Sequence, residues 1–117
     1  ATSGGFHSPL MASAAEPFAA YLAGVDFRES AVPVIGNVHG APLEVATVRE
    51  ELVAHLASPV QFEASVQKLA AAGAQMFAEV GFGGVLANLV KRIDRAAPRA
   101  AIQDRASFDA FVAENGE

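Results

Sequence analysis

His7 is the side chain in this sequence best placed to move a proton. It lies in Gly5-Phe6-His7-Ser8-Pro9-Leu10-Met11, after the flexible run Ser3-Gly4-Gly5 and directly before a Ser-Pro pair. Serine accepts from the first free amides of a helix, and proline lacks the N–H that would otherwise go unpaired there, so Ser8-Pro9 reads as a helix start. The imidazole then sits on a loop at the positive pole of a helix, where the dipole favours the neutral ring. A neutral, well-aimed imidazole is what a general base requires. A loop histidine before a helix is also a common structural residue, so the pattern alone leaves both roles open.

The remaining reactive residues narrow the chemistry. The chain has no cysteine, which removes thiolate nucleophiles, disulfides and cysteine-based zinc sites. His7, His39 and His55 stand 32 and 16 residues apart, with no i, i+4 pair and no H-E-x-x-H, so no metal site is expected. Glu50-Glu51 reads as a solvated helix face. None of the serines (3, 8, 13, 30, 58, 65 and 107) sits in a G-x-S-x-G elbow, so a serine nucleophile would have to come from outside this sequence. Lys91, Arg92, Arg95 and Arg99 form a basic cluster. Its plain reading is a solvated face; the sharper one is a contact for an acidic protein or a phosphate.

The elements that would position these residues follow from periodicity. Met11, Ala15, Phe18, Leu22 and Val25 make a helical stripe, with Pro17 forcing a late start or a kink. Ala31 to Ile35 is short, apolar and β-branched and reads as a buried strand despite Pro33. Thr47 with Glu50 is a capping-box pattern that opens a helix to about Leu56. Ser58-Pro59-Val60-Gln61 repeats that logic, for a helix ending at Gly73. Met76 to Val80 reads as a second buried strand, and Gly81-Phe82-Gly83-Gly84 turns into a helix lined by Leu86, Leu89, Val90 and Ile93. Ala100 to Ile102 is a third strand, and Ser107 to Ala113 a last helix with Phe108, Phe111 and Val112 inward. Another strand is expected in Ala1 to Gly5, ahead of His7.

Strands separated by helices imply an α/β fold with a parallel sheet. In such sheets the ligand crevice lies outside the carboxyl ends of the strands. Gly36-Asn37 and Gly81-Phe82-Gly83 each follow a predicted strand, which makes them candidate site segments beside His7. Glu79, near the end of its strand, is expected to hydrogen-bond the backbone of neighbouring loops as a support for the site.

Four ordered blocks resemble the malonyl-CoA:acyl carrier protein transacylases. Gly5 to Met11 resembles the histidine segment of that family. Val32-Pro33-Val34-Ile35-Gly36-Asn37-Val38-His39-Gly40 is similar to V-P-V-x-S-N-V-x-G. Leu56-Ala57-Ser58-Pro59-Val60-Gln61-Phe62 with Ser65 is similar to L-x-x-P-V-x-[WF]-x-x-S. Glu79 to Leu86, then Leu89-Val90-Lys91-Arg92-Ile93, resembles E-V-G-P-G-x-V-L followed by L-x-K-R-I. The departures are Phe82 for the family's proline, Gly36 for a frequent serine, and His55 for the usual glutamine.

The resemblance implies the C-terminal part of an α/β-hydrolase-like acyltransferase core, with short parallel strands under covering helices. Residues 1–117 would form part of its large subdomain, the nucleophile-bearing part and the small subdomain lying outside this chain. By the same resemblance His7 is the catalytic base, and the backbone carbonyl of His55 holds its other ring nitrogen. Phe6, Asn37, Gly81, Phe82 and Gly83 would line the substrate pocket. An aromatic residue before the histidine goes with malonyl in related enzymes, and a serine with methylmalonyl. The implied reaction carries malonyl from CoA through an acyl-serine to the phosphopantetheine thiol of acyl carrier protein, as in fatty acid biosynthesis. Malonyl-CoA, the carrier and the rest of the enzyme are the expected partners. No cofactor is expected, the location is cytoplasmic, and this chain alone is expected to be inactive. The alternatives are an acyltransferase domain of a polyketide synthase and a non-catalytic α/β binding module.

Bulk properties agree with a piece of a larger core. The 117 residues are 52% hydrophobic and 18% charged, with mean hydropathy +0.30, so apolar surface is expected to be covered by other protein. A formal net charge of −5 argues against a general nucleic-acid binder. No apolar run approaches the roughly 18 residues of a membrane span. The start Ala-Thr-Ser-Gly-Gly lacks the features of a secretion signal and reads like the middle of a protein.

Overall fold

A computed structural model describes residues 4–116; most of the strand expected in Ala1 to Gly5 lies outside them, and Gly4 and Gly5 are not in a strand. The chain forms two compact units, Ala1–Ser65 and Val66–Glu117.

In the first unit the Ser8-Pro9 start is formed. The Ser8 hydroxyl accepts from Leu10 N at 3.4 Å, and Pro9 opens a 3-10 segment, Pro9–Ala14. That segment runs into helix α1, Ala15–Leu22. Pro17 thus falls in the first turn of α1, where its missing N–H has no intrahelical role. Helix α2, Val48–His55, packs on α1. Arg49 ties the two together, donating to the carbonyls of Leu22 at 3.1 Å and Val25 at 2.6 Å. Leu22 O also accepts from Val25 N at 3.1 Å, and the guanidinium adds positive charge beside the negative pole of α1.

Three expected elements differ. Ala31 to Ile35 is no strand: its pairing is one antiparallel bridge, Ile35 to Pro42, flanked by two backbone hydrogen bonds of 2.8 Å. Pro33 offers no donor, and Val32 and Val34 are exposed. The Thr47 capping box does not form, because the Thr47 hydroxyl donates back to Glu44 O at 3.3 Å. Helix α3 begins at Phe62, not Ser58, and runs to Ala71. The Gln61 amide just before it donates instead to Asn37 O at 2.7 Å. Gly73 stops the chain with a left-handed φ of 93°, as a glycine after a helix does.

The second unit is a β–α–β arrangement with a closing helix. Strands β1, Phe77–Val80, and β2, Arg99–Ile102, pair in parallel with Phe77 opposite Arg99 and Val80 opposite Ile102. Helix α4, Val85–Ile93, packs against both strands, and α5, Arg105–Asn115, against β2. The parallel sheet and its helices confirm the α/β class. β1 is not buried as expected: Val80 is 81% exposed. Phe108 and Val112 are likewise exposed rather than inward, and Leu86 on the lined face of α4 is exposed too.

Helix α5 starts two residues before the predicted Ser107, through a reciprocal cap. The Asp104 carboxylate accepts from Ser107 N at 2.8 Å, and Asp104 N donates to the Ser107 hydroxyl at 3.0 Å. The Ser107 amide, then its hydroxyl, hold the Asp104 carboxyl below the usual carboxylate range. A depressed folded-state pKa gives stabilisation that is complete above the unfolded value, about 3.9, and lost as pH falls through the lowered one. Asp104→Ala is therefore expected to weaken hydrogen-exchange protection at Ser107 and Phe108 at neutral pH. The gap to the wild type should narrow as pH falls through that range; equal protection at neutral pH would show the cap to be idle.

Candidate active site

His7 is presented by a turn that its neighbours close. The Ser8 hydroxyl donates to Gly5 O at 2.6 Å, which folds Phe6 and His7 outward over the turn. Both side chains are exposed. His7 has φ of 57°, the one left-handed residue other than glycine among the described residues. Histidine tolerates that region better than most residues, but an L side chain still loses about 1–2 kcal/mol there. Backbone strain of this kind gathers at functional sites. Sequence reading missed it, because no glycine marks the position.

The ring is fixed from one side. His7 Nδ1 lies 2.9 Å from the carbonyl oxygen of His55. His55 is the last residue of α2, where helical carbonyls have no donor within their own helix. A carbonyl only accepts, so Nδ1 carries the hydrogen, and in the neutral ring the lone pair is left on Nε2. This sets tautomer and direction together, without an aspartate. A net gain of about 0.5–1.5 kcal/mol for such a bond roughly cancels the strained φ. The arrangement adds little to stability.

Asn37 sits half-buried on a second turn of the same unit. Its carbonyl accepts from Gln61 N, while Val38 N donates to the Glu51 carboxylate at 2.7 Å. Glu51 is thus no solvated face residue: it is half-buried and braces this turn. A Cβ on Gly36 would stand 2.5 Å from the same carboxylate, so a side chain there would require Glu51 to shift. His39 is exposed on the turn.

In the second unit Gly81, Gly83 and Gly84 join β1 to α4 with φ of 136°, 112° and 64°. Left-handed values at three positions demand glycine, and Phe82 between them is 90% exposed. Glu79 does not reach a neighbouring loop. Its carboxylate accepts from Ala87 N at 2.9 Å, in the first turn of α4, whose N-cap Gly84 has no side chain to do so. Gln103, which sequence reading passed over, accepts from Gly83 N at 3.2 Å. Asn88, Lys91, Arg92 and Arg95 line an open hollow of about 550 Å³ along α4. Arg99 instead folds back, donating to Ala97 O at 2.9 Å. Among the described residues no group of three metal-ligating side chains gathers, and no helix is long and apolar enough to cross a membrane.

The malonyl CoA-acyl carrier protein transacylase of Bacillus subtilis (strain 168) is 44% identical over 111 residues, 94% of this chain and 35% of that protein. The crystal structure of MCAT from Streptococcus pneumoniae superposes with a TM-score of 0.92 at 34% identity, covering 96% of this chain and 37% of that one. The chain is homologous to the malonyl CoA-acyl carrier protein transacylases. A malonyl-transacylase solved with its type II polyketide synthase acyl-carrier protein also matches, with a TM-score of 0.93 and 34% identity over 98% of this chain and 38% of that one. No family model matches. The chain spans about a third of the length of these transacylases.

The near-cancellation at His7 has a measurable consequence. His7→Gly loses the ring but relieves the left-handed strain, so its unfolding free energy should stay within about 1 kcal/mol of wild type. His7→Ala keeps the strain and loses the bond, and should be the less stable of the two by urea denaturation. A loss above about 3 kcal/mol for His7→Gly would instead make the residue a structural keystone.

Proposed function

We propose that this chain is the histidine-bearing part of the large α/β subdomain of a cytoplasmic malonyl-CoA:acyl carrier protein transacylase. His7 is its general base. The observation that carries the reading is the 2.9 Å bond from His7 Nδ1 to the His55 carbonyl, which leaves Nε2 as the proton acceptor. The homology to transacylases supplies the substrates.

In this reading a serine from outside these residues attacks the thioester carbon of malonyl-CoA while Nε2 takes its proton. The imidazolium then protonates the departing CoA sulfur, leaving malonyl on the serine oxygen. In the second half, Nε2 takes the proton of the phosphopantetheine thiol, whose sulfur attacks the ester. The proton returns to the serine oxygen as malonyl leaves on the carrier. Every proton moved passes through one nitrogen, so the route needs no cofactor.

Exposed Leu10, Val80 and Phe82 suit a chain covered by the nucleophile-bearing part of the enzyme. Lys91, Arg92 and Arg95 offer positive charge to an acidic carrier or to CoA phosphates. Phe6 and Asn37 are proposed as substrate-pocket residues; for Gly81, Phe82 and Gly83 that role rests on the resemblance. The likeness to a transacylase solved with a type II polyketide carrier favours a second reading, the same chemistry serving a polyketide synthase.

In the intact protein, His7→Ala should lower malonyl transfer by roughly 10⁴- to 10⁶-fold, as loss of the base does in serine enzymes, while the fold is kept. Near-normal turnover of a folded variant would reduce His7 to a structural residue and favour a non-catalytic module. Phe6→Ser should raise methylmalonyl use relative to malonyl, because a benzyl group leaves little room for an α-methyl. One methyl in an apolar pocket is worth roughly 10–200-fold in specificity. Competition between the two CoA esters measures the ratio, and an unchanged ratio would place the discrimination elsewhere.

A further inference from the structure

The carbonyl is only part of what His55 offers His7. The two imidazoles lie against each other, centroids 4.4 Å apart and planes tilted by 30°. His55 Nε2 is buried with no hydrogen-bond partner among the described residues. The His55 ring thus meets His7 by ring contact, with no hydrogen bond from that nitrogen among the described residues.

Geometry gives this contact a task. The His7 ring is tethered at Cγ and held at Nδ1, yet one hydrogen bond tolerates a spread of lengths and angles, so χ1 and χ2 can still rock the ring plane. Such rocking moves Nε2 through an arc. A flat group packed on the ring face removes that freedom, and stacked rings at this separation attract. The left-handed turn at residue 7 carries the side chain outward into solvent, with no helix or strand of its own to confine it.

We propose that the His55 side chain is a positioning residue for His7, fixing the plane of its imidazole so that Nε2 keeps one direction. The inference rests on the proton-transfer role proposed for His7.

The test uses the intact protein with His55→Ala, His55→Gln and His55→Phe, all of which keep the backbone carbonyl. His55→Ala should lower kcat for malonyl transfer by about 10- to 100-fold, the scale of a misaimed catalytic group, with KM for malonyl-CoA unchanged. His55→Phe and His55→Gln should restore kcat to within severalfold of wild type. Ring ¹⁵N NMR should show the Nδ1–H tautomer of His7 in every variant, since the carbonyl is kept, whereas three-bond couplings across χ2 should report one ring orientation in the wild type, His55→Phe and His55→Gln and an average in His55→Ala. Wild-type kcat and χ2 couplings in His55→Ala, or a loss in His55→Phe and His55→Gln as large as in His55→Ala, would overturn the proposal. The NMR arm reads ring position without turnover. A wild-type protein that transfers no malonyl would therefore sink the functional reading and leave the positioning claim to be judged on its own.

Discussion

The last carbonyl of α2 has no donor in its own helix, and the ring of His7 supplies one. Much of the first unit serves to bring those two groups together. Arg49, one turn and a half earlier on α2, clamps the carbonyls at the end of α1. Glu51, on the same helix, braces the turn that carries Asn37. The Ser8 hydroxyl closes the turn that lifts His7 away from the 3-10 segment. Helix α2 thus sets the His7 ring, the Asn37 turn and the end of α1 from one rigid element. Because the strained φ at His7 offsets its own hydrogen bond, the geometry is maintained by this surrounding frame and not by the histidine's contribution to stability.

The second unit solves a different problem with similar means. Its glycine-rich connection between β1 and α4 leaves the helix with no capping side chain, and a charge from the preceding strand fills the gap. Glu79 reaches the first turn of α4, where a carboxylate also suits the positive pole. Gln103, after β2, holds the Gly83 amide. Two polar side chains thereby fix a loop whose backbone has no regular structure of its own, and they leave Phe82 outside it.

Legibility in the sequence followed the range of the interactions. The Ser8-Pro9 start, the Gly73 stop and the two parallel strands depend on neighbours in sequence or on short apolar runs, and all were readable. The resemblance identified the His55 carbonyl as the partner of His7, a contact that spacing alone could not predict. What failed was long-range or competitive. Ala31 to Ile35 has the composition of a strand, but within its unit it gains one bridge, and composition cannot supply a partner. Thr47 has the residue type of a cap, yet its hydroxyl finds Glu44 O first. Glu51 looks solvated beside Glu50 until the turn at Val38 is folded against it. The left-handed φ of His7 leaves no trace in residue type at all.

The central claim is that His7 Nε2, aimed by the His55 carbonyl, receives a proton from a serine outside these residues. A crystal structure of the intact protein tests it most directly, through the distance from that nitrogen to the nearest serine oxygen. The account predicts a serine Oγ within hydrogen-bond reach, roughly 2.6–3.2 Å, with the bond from Nδ1 to His55 retained. A structure in which no serine comes near, and Nε2 is held by a fixed backbone or side-chain acceptor, would contradict it.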